Sequence, residues 1–379
     1  MIKLEREWKE RATQQKPQED EDAKKSEKVL TTLYALFPQL KSLEKLEQFK
    51  QLTLTGEEIQ SIVLDVVNKT QIVPERMDLQ AGDGRRKKLG FFEKGILTLL
   101  SHRMYDIEKE LKMPVGDESV YVILGNAQYE NGDYLRARDY FEKALKVKPS
   151  HAGAWYNSGI AFIRMNKYEE ALDAFEKTLE SDPNDAQAWH HRGIVLGRLE
   201  RYEEALSAFG NALELDPHHA RTWHSSGVVL AHLGRNEEAL RSYENAIELD
   251  PDSSDTWYNK GVTLIQLGLY EKALKACEQA VRLKSDSPQA WYNKGIALGR
   301  LGRYEEALSA YQKALDLKPD FADAWYNRAC LYSVKGDKTN ALSNLSKAIS
   351  INPSCKRTAN EDEDFRNLSE DEDFRKIVS

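Results

Sequence analysis

Cysteine is scarce. The 379 residues hold three, Cys277, Cys330 and Cys355, an odd set without metal-ligand spacing, which excludes a disulfide framework and fits a reducing cytoplasm. Long apolar runs are absent too. With 41% hydrophobic and 31% charged residues, a soluble protein without membrane spans is expected. The first residues, MIKLEREWKERATQQ, alternate charges around no apolar core and read as neither secretory signal nor membrane anchor. A positive excess is missing. Lys and Arg number 54 against 62 Asp and Glu, a formal charge of −8, which disfavours nucleic acid as the main partner because neutralising phosphates takes a basic surface. Catalytic and nucleotide motifs are also missing. There is no GxxxxGK[ST], HExxH or GxSxG, and no strand to carry a dinucleotide turn. The expectation is a non-enzymatic protein with no cofactor and no metal.

What is abundant is repetition. Tryptophan stands at 155, 189, 223, 257, 291 and 325, 34 residues apart each time, and one interval earlier Tyr121 opens the same pattern. Seven copies follow, 118–151, 152–185, 186–219, 220–253, 254–287, 288–321 and 322–355. Each has an aromatic at its fourth position and Ala at its twentieth, from Ala137 to Ala341. Gly holds the eighth position in the first six (Gly125, Gly159, Gly193, Gly227, Gly261, Gly295), most copies have an aromatic at the twenty-fourth, and Pro closes six of them. Such a period marks a solenoid, whose units each bury an apolar face on their neighbours.

Within a copy, a central glycine (Gly234, Gly268, Gly302, Gly336; Asn166 in the second) divides two helices. Positions 4, 8 and 11 of the first share one stripe, so Trp291, Gly295 and Leu298 are expected to pack together, with the indole filling the core beside the glycine. Tyr304, Ala307, Leu308, Tyr311, Ala314 and Leu315 make the complementary stripe of the second. Asn184 or Asp185, Asp252 or Ser253, and Ser287 are placed to cap the following helices.

These positions resemble the tetratricopeptide repeat family. The resemblance implies an all-α fold, a right-handed superhelical solenoid of helix-turn-helix repeats over 118–355, and a concave surface that binds extended peptides or partner helices. Groove-lining positions then supply Tyr156, His190, His224, Tyr258, Tyr292 and Tyr326 at the fifth, Asn157, Asn259, Asn293 and Asn327 at the sixth, and Arg164, Arg198 and Arg300 at the thirteenth. Aromatics give contact area with a polar tip, Asn can serve a peptide backbone, and Arg can pair a carboxylate. The expected partner is a protein or peptide, extended, with apolar anchors and some acidic residues. The asparagines look like the ladder in the repeat domain of protein O-linked N-acetylglucosamine transferases, although no transferase domain follows in this sequence. The family's clamp for chaperone C-terminal carboxylates is not expected, because Val122, Gln187 and His191 depart from its pattern. Position 7, usually Leu in the family, is Ser158, Arg192, Ser226, Lys260, Lys294 and Arg328 here, which puts the packing of that edge in question.

Two flanking regions lack the repeat. In 1–117, helices are expected over 27–52, from Thr55 to Val67, and over 90–112, with residues 1–28 partly mobile and a basic cluster, Arg85, Arg86, Lys87 and Lys88, that could hold phosphate or be a solvated turn. An alternative function makes this region a regulatory or nucleic-acid-binding module, with the repeats as its targeting arm. In 356–379, Asn360 and Ser369 precede acidic turns, and Phe365, Leu368, Phe374 and Ile377 are expected to cover the end of the array. An acidic interaction tail is the other reading. Six histidines fall between 190 and 232; with no partner ligand at matching spacing they read as a groove lining that protonates in mild acid.

Overall fold

The structure, a computed structural model, describes residues 116–379. The helices expected over 27–52, from Thr55 to Val67 and over 90–112, and the basic cluster 85–88, lie outside the described residues.

The chain divides into two compact units, one ending at Leu199 and the other beginning at Glu200. In the first, the described helices are α1 (Glu118–Glu130), α2 (Tyr134–Val147), α3 (Ala152–Arg164), α4 (Tyr168–Ser181) and α5 (Ala186–Arg198). The second holds α6 (Tyr202–Leu215), α7 (Ala220–His232), α8 (Asn236–Leu249), α9 (Ser254–Gln266), α10 (Tyr270–Leu283), α11 (Pro288–Arg300), α12 (Tyr304–Leu317), α13 (Ala322–Val334) and α14 (Lys338–Ile351). Then come α15 (Cys355–Glu361), a 3-10 helix (Glu363–Leu368) and α16 (Glu372–Val378). Within each unit the two helices of a repeat pair as an antiparallel hairpin, and each second helix also packs on the first helix of the next hairpin. No strand occurs among the described residues.

Local chemistry sets these boundaries. Asp185 accepts from the backbone N–H groups of Gln187 and Ala188, Ser253 from Thr256, and Ser287 from Ala290, the caps expected from sequence. Between paired helices the chain turns through a left-handed residue, with φ from 71° to 82° at Gly132, Gly234, Gly268, Gly302 and Gly336. Asn166 (57°) and Glu200 (59°) take the same conformation without glycine.

The core departs from expectation at its largest residue. No indole is buried among the described residues. The six repeat tryptophans are half-buried at the edge of the stack, and each donates its Nε1–H at 2.8–3.0 Å to the carbonyl that ends the preceding helix hairpin, at Pro149, Pro183, Pro217, Pro251, Ser285 and Pro319. Its polar N–H and its large ring suit a boundary better than a dry interior. The space beside Gly125, Gly159, Gly227, Gly261 and Gly295 goes instead to the residue at position 24. A Cβ built on Gly159 would stand 2.7 Å from Phe175 Cζ, and one on Gly295 would stand 2.5 Å from Tyr311 Cε1. Where Cys277 replaces the aromatic, its Sγ takes the place over Gly261 at 2.8 Å.

The cations at position 7 settle the edge that the sequence left in question. Lys260 and Lys294 lie 5.7 and 5.5 Å from the ring centroids of Trp257 and Trp291, and they reach back to Glu244 (3.0 Å) and Glu278 (3.4 Å) of the preceding repeat. Arg192 does the same with Trp189 and Glu176. Arg328 stacks on Trp325 at 4.4 Å and bonds Asn344 Oδ1 at 2.6 Å and the Gln312 side chain. A cation beside the indole, its head also held by a carboxylate or, for Arg328, by amide oxygens, replaces the apolar contact that Leu would make.

After α14, Phe365, Leu368 and Phe374 are buried with Tyr326, Cys330 and Leu345, and Ile377 packs partly buried against them. Their helix caps are Asp362 and Asp371, two residues beyond the expected Asn360 and Ser369.

Candidate binding groove

Positions 5 and 6 meet different fates in the two units. In the first, Tyr156 and Asn157 are buried: the Tyr156 hydroxyl lies 3.2 Å from His191 Nδ1, and Asn157 Nδ2 donates to Asn126 Oδ1 at 2.9 Å. His190 is buried at a ring distance of 5.1 Å from His191. Arg164 is exposed but donates its Nε–H to the Tyr129 hydroxyl at 2.9 Å, and Arg198 is exposed. Tyr156, Asn157 and Arg164 serve the stacking of one repeat on the next, where the sequence suggested a free lining.

In the second unit the row opens. His224 is half-buried and its Nδ1 lies 2.9 Å from Thr256 Oγ1, tying repeat 4 to repeat 5. Burial lowers its pKa, so the histidine resists the protonation expected of it. Tyr292 accepts a hydrogen bond from Asn327 Nδ2 at 3.1 Å, and burial pushes its pKa up to about 12. Tyr326 is buried under the C-terminal residues. Its hydroxyl donates to Asp362 Oδ2 at 2.7 Å and its ring meets Phe365 edge-on at 5.8 Å.

Between those closed steps lie groups with nothing to bond. The Tyr258 hydroxyl and the side-chain amides of Asn259 and Asn293 have no hydrogen-bond partner among the described residues, and Arg300, exposed, has no ion pair there. Tyr258 and Asn259 are half-buried; Asn293 is more enclosed, at 7% exposure, yet no atom of its amide is sealed from solvent without a partner. Val262 and Ile296, one helix turn from these amides, are half-buried, and α9, α11 and α13 stand side by side. This stretch offers neutral donors and acceptors, an apolar floor and one free cation.

Two features were beyond sequence reasoning. Thr256 is engaged by His224 and by Ser253 Oγ at 2.7 Å, and the first of these is a contact between repeats that no periodic pattern announces. Donor atoms of Cys330, Asp362 and Asp364 lie within 4.8 Å of one another, but Asp362 already caps the 3-10 helix and holds Tyr326. Among the described residues the histidines form no comparable group.

Profiles of the tetratricopeptide repeat match residues 124–186, 159–220, 190–240, 227–288, 288–321 and 322–355, which together cover more than half of the chain. The chain belongs to the tetratricopeptide repeat family. Its repeats form a protein–protein interaction module, and no helix among the described residues is long and apolar enough to cross a membrane. The chain is similar to YrrB, described as a TPR protein with an unusual peptide-binding site, at 31% identity over 48% of this chain and 94% of that one, with a TM-score of 0.44. It is similar to a tetratricopeptide repeat protein of Parabacteroides merdae at 16% identity over 63% and 96% of the two chains, and to a chain of the APC/C hetero-tetramer Cut9–Hcn1 at 18% over 89% and 70%, each with a TM-score of 0.50. The last two share the fold. No curated protein matches the chain.

Proposed function

We propose that this protein is a non-catalytic, cytoplasmic scaffold that holds an extended segment of a partner protein against α9 and α11. One observation carries the reading. The Tyr258 hydroxyl and the Asn259 and Asn293 amides stand over an apolar floor with no partner for their hydrogen bonds among the described residues, whereas Tyr292, Tyr326 and Asn327, at the same positions of repeats 6 and 7, are bonded. An amide without a protein partner loses little while water reaches it, and it gives a hydrogen bond to any backbone that displaces the water. The interaction requires no fixed sequence at these points, because a peptide main chain offers the same groups at every residue.

The test is capture of partners by the full chain against a variant carrying Tyr258→Phe, Asn259→Ala and Asn293→Ala. These changes remove polar groups and leave the buried rings and glycines untouched, so helix content and melting should hold. Loss of the captured partner supports the groove; unchanged capture refutes it.

A further inference from the structure

The face that carries the free amides has a charge pattern of its own. Positions 2, 9 and 13 of a first helix are seven and four residues apart, which places them within about 40° on the helix surface. In α9 this ridge reads Asp255, Val262 and Gln266, in α11 Gln289, Ile296 and Arg300, and in α13 Asp323, Cys330 and Val334. Asp255 and Asp323 sit in first turns, exposed and without an ion pair among the described residues. Arg300 sits in a last turn, also exposed and unpaired there. Asp364 senses Arg300, yet burial and the nearby Asp362 dominate and raise its pKa, and no bridge forms between them. Asp255 raises the His224 pKa slightly against the larger effect of burial. The groove, open over repeats 5 and 6 and closed at Tyr326 and Cys330 of repeat 7, thus has Asp255 and Asp323 at helix starts and Arg300 at a helix end, separated by about 16 Å along the helix axis. Asn259 and Asn293, at position 6, lie between the two.

From this arrangement we infer that the ligand is an extended polypeptide whose side chains alternate in charge, basic toward Asp255 and Asp323, acidic toward Arg300. The inference rests on the groove reading above and adds the chemistry of the partner. In an extended strand successive side chains point to opposite sides, while the backbone N–H and C=O groups lie perpendicular to them. A strand running across α9 and α11 along the midline, toward the exposed first turn of α13, turns its peptide groups to the floor amides and sends odd residues to one rim and even residues to the other. Long side chains such as Lys and Glu then reach both. A helical ligand, with its period of 3.6, cannot keep that alternation.

Two labelled, acetylated peptides of equal composition test this. In one, lysine and glutamate alternate over five pairs; in the other, a block of five lysines precedes a block of five glutamates. Each is titrated against the full-length protein at low salt by fluorescence anisotropy. The alternating peptide is expected to bind about tenfold tighter than the block peptide. Arg300→Gln, and separately Asp255→Asn with Asp323→Asn, should erase that preference. Equal affinity for the two peptides, no binding of either, or a preference that survives these substitutions overturns the inference. If it falls while the Tyr258, Asn259 and Asn293 variant still loses its captured partner, the groove reading stands and only the partner's charge pattern is wrong.

Discussion

The ring of Phe175 occupies the space over Gly159 so closely that a Cβ there would come within 2.7 Å of its Cζ and 2.9 Å of its Cε1. Gly159 is a helix-interior glycine, where alanine ordinarily gains roughly 0.5–1 kcal/mol. The contact reverses the sign: Gly159→Ala should destabilise the protein by about 1–3 kcal/mol, the cost of overpacking. Gly210, in the middle of α6 with nothing within 4 Å of an added Cβ, is the control, and Gly210→Ala should stabilise by roughly 0.5–1 kcal/mol. Denaturant melts of the two variants check both signs.

His224 makes folding sensitive to pH. Its pKa is lowered from 6.5 chiefly by burial, with Asp255 opposing. The unfolded chain therefore takes up a proton at a pH where the folded chain does not, so this group's contribution is intact above pH 6.5 and is lost as the pH falls below it. His224→Tyr, the residue that repeats 5 to 7 carry at this position, should flatten the slope of stability between about pH 7 and pH 5. A slope equal to that of the unaltered protein would place the dependence elsewhere.

The C-terminal residues should matter more for solubility than for partner capture. Phe365 and Phe374 are buried against each other at a ring distance of 5.6 Å and cover Tyr326, Cys330 and Leu345. Phe365→Ala should cost about 3–5 kcal/mol locally and expose the end of the stack. The expected signs are early loss of protection in α13 and α14 by hydrogen exchange, and concentration-dependent association, with α9 and α11 unchanged.

The hairpins, their caps and the glycine turns were legible from sequence because each rests on a short-range rule that the 34-residue period repeats. What was not legible depends on which neighbour wins a contact. The periodicity put tryptophan on the same stripe as Gly295 and Leu298, but Tyr311 took the place over the glycine, and the indole, with an N–H to satisfy, moved to the edge beside Ser285. Lys294 looked like a departure from the family at its seventh position. It becomes intelligible only with Glu278, sixteen residues earlier, and the ring of Trp291. The tyrosine and asparagine rows were recognised as rows, yet sequence could not tell Asn157, bonded to Asn126, from Asn259, whose amide bonds nothing among the described residues. Periodicity assigns a residue to a face, but partners across repeats decide whether the face is open.

Trp291 allows that edge to be measured. The half-buried indole gives a hydrogen bond to Ser285 O at 2.9 Å and a platform for Lys294. Phenylalanine keeps most of the apolar area and loses the N–H, so Trp291→Phe should cost about 1 kcal/mol, the net worth of one hydrogen bond. A fully buried indole would have implied several times that. In the Trp291→Phe background, Lys294→Met should then cost less than it does alone, because one of the two contacts holding the ammonium has weakened and the other, to a half-exposed Glu278, is worth roughly 0–1 kcal/mol. A double-mutant cycle read by chemical denaturation measures the coupling. Strict additivity of the two substitutions would mean that the cation and the indole are only neighbours.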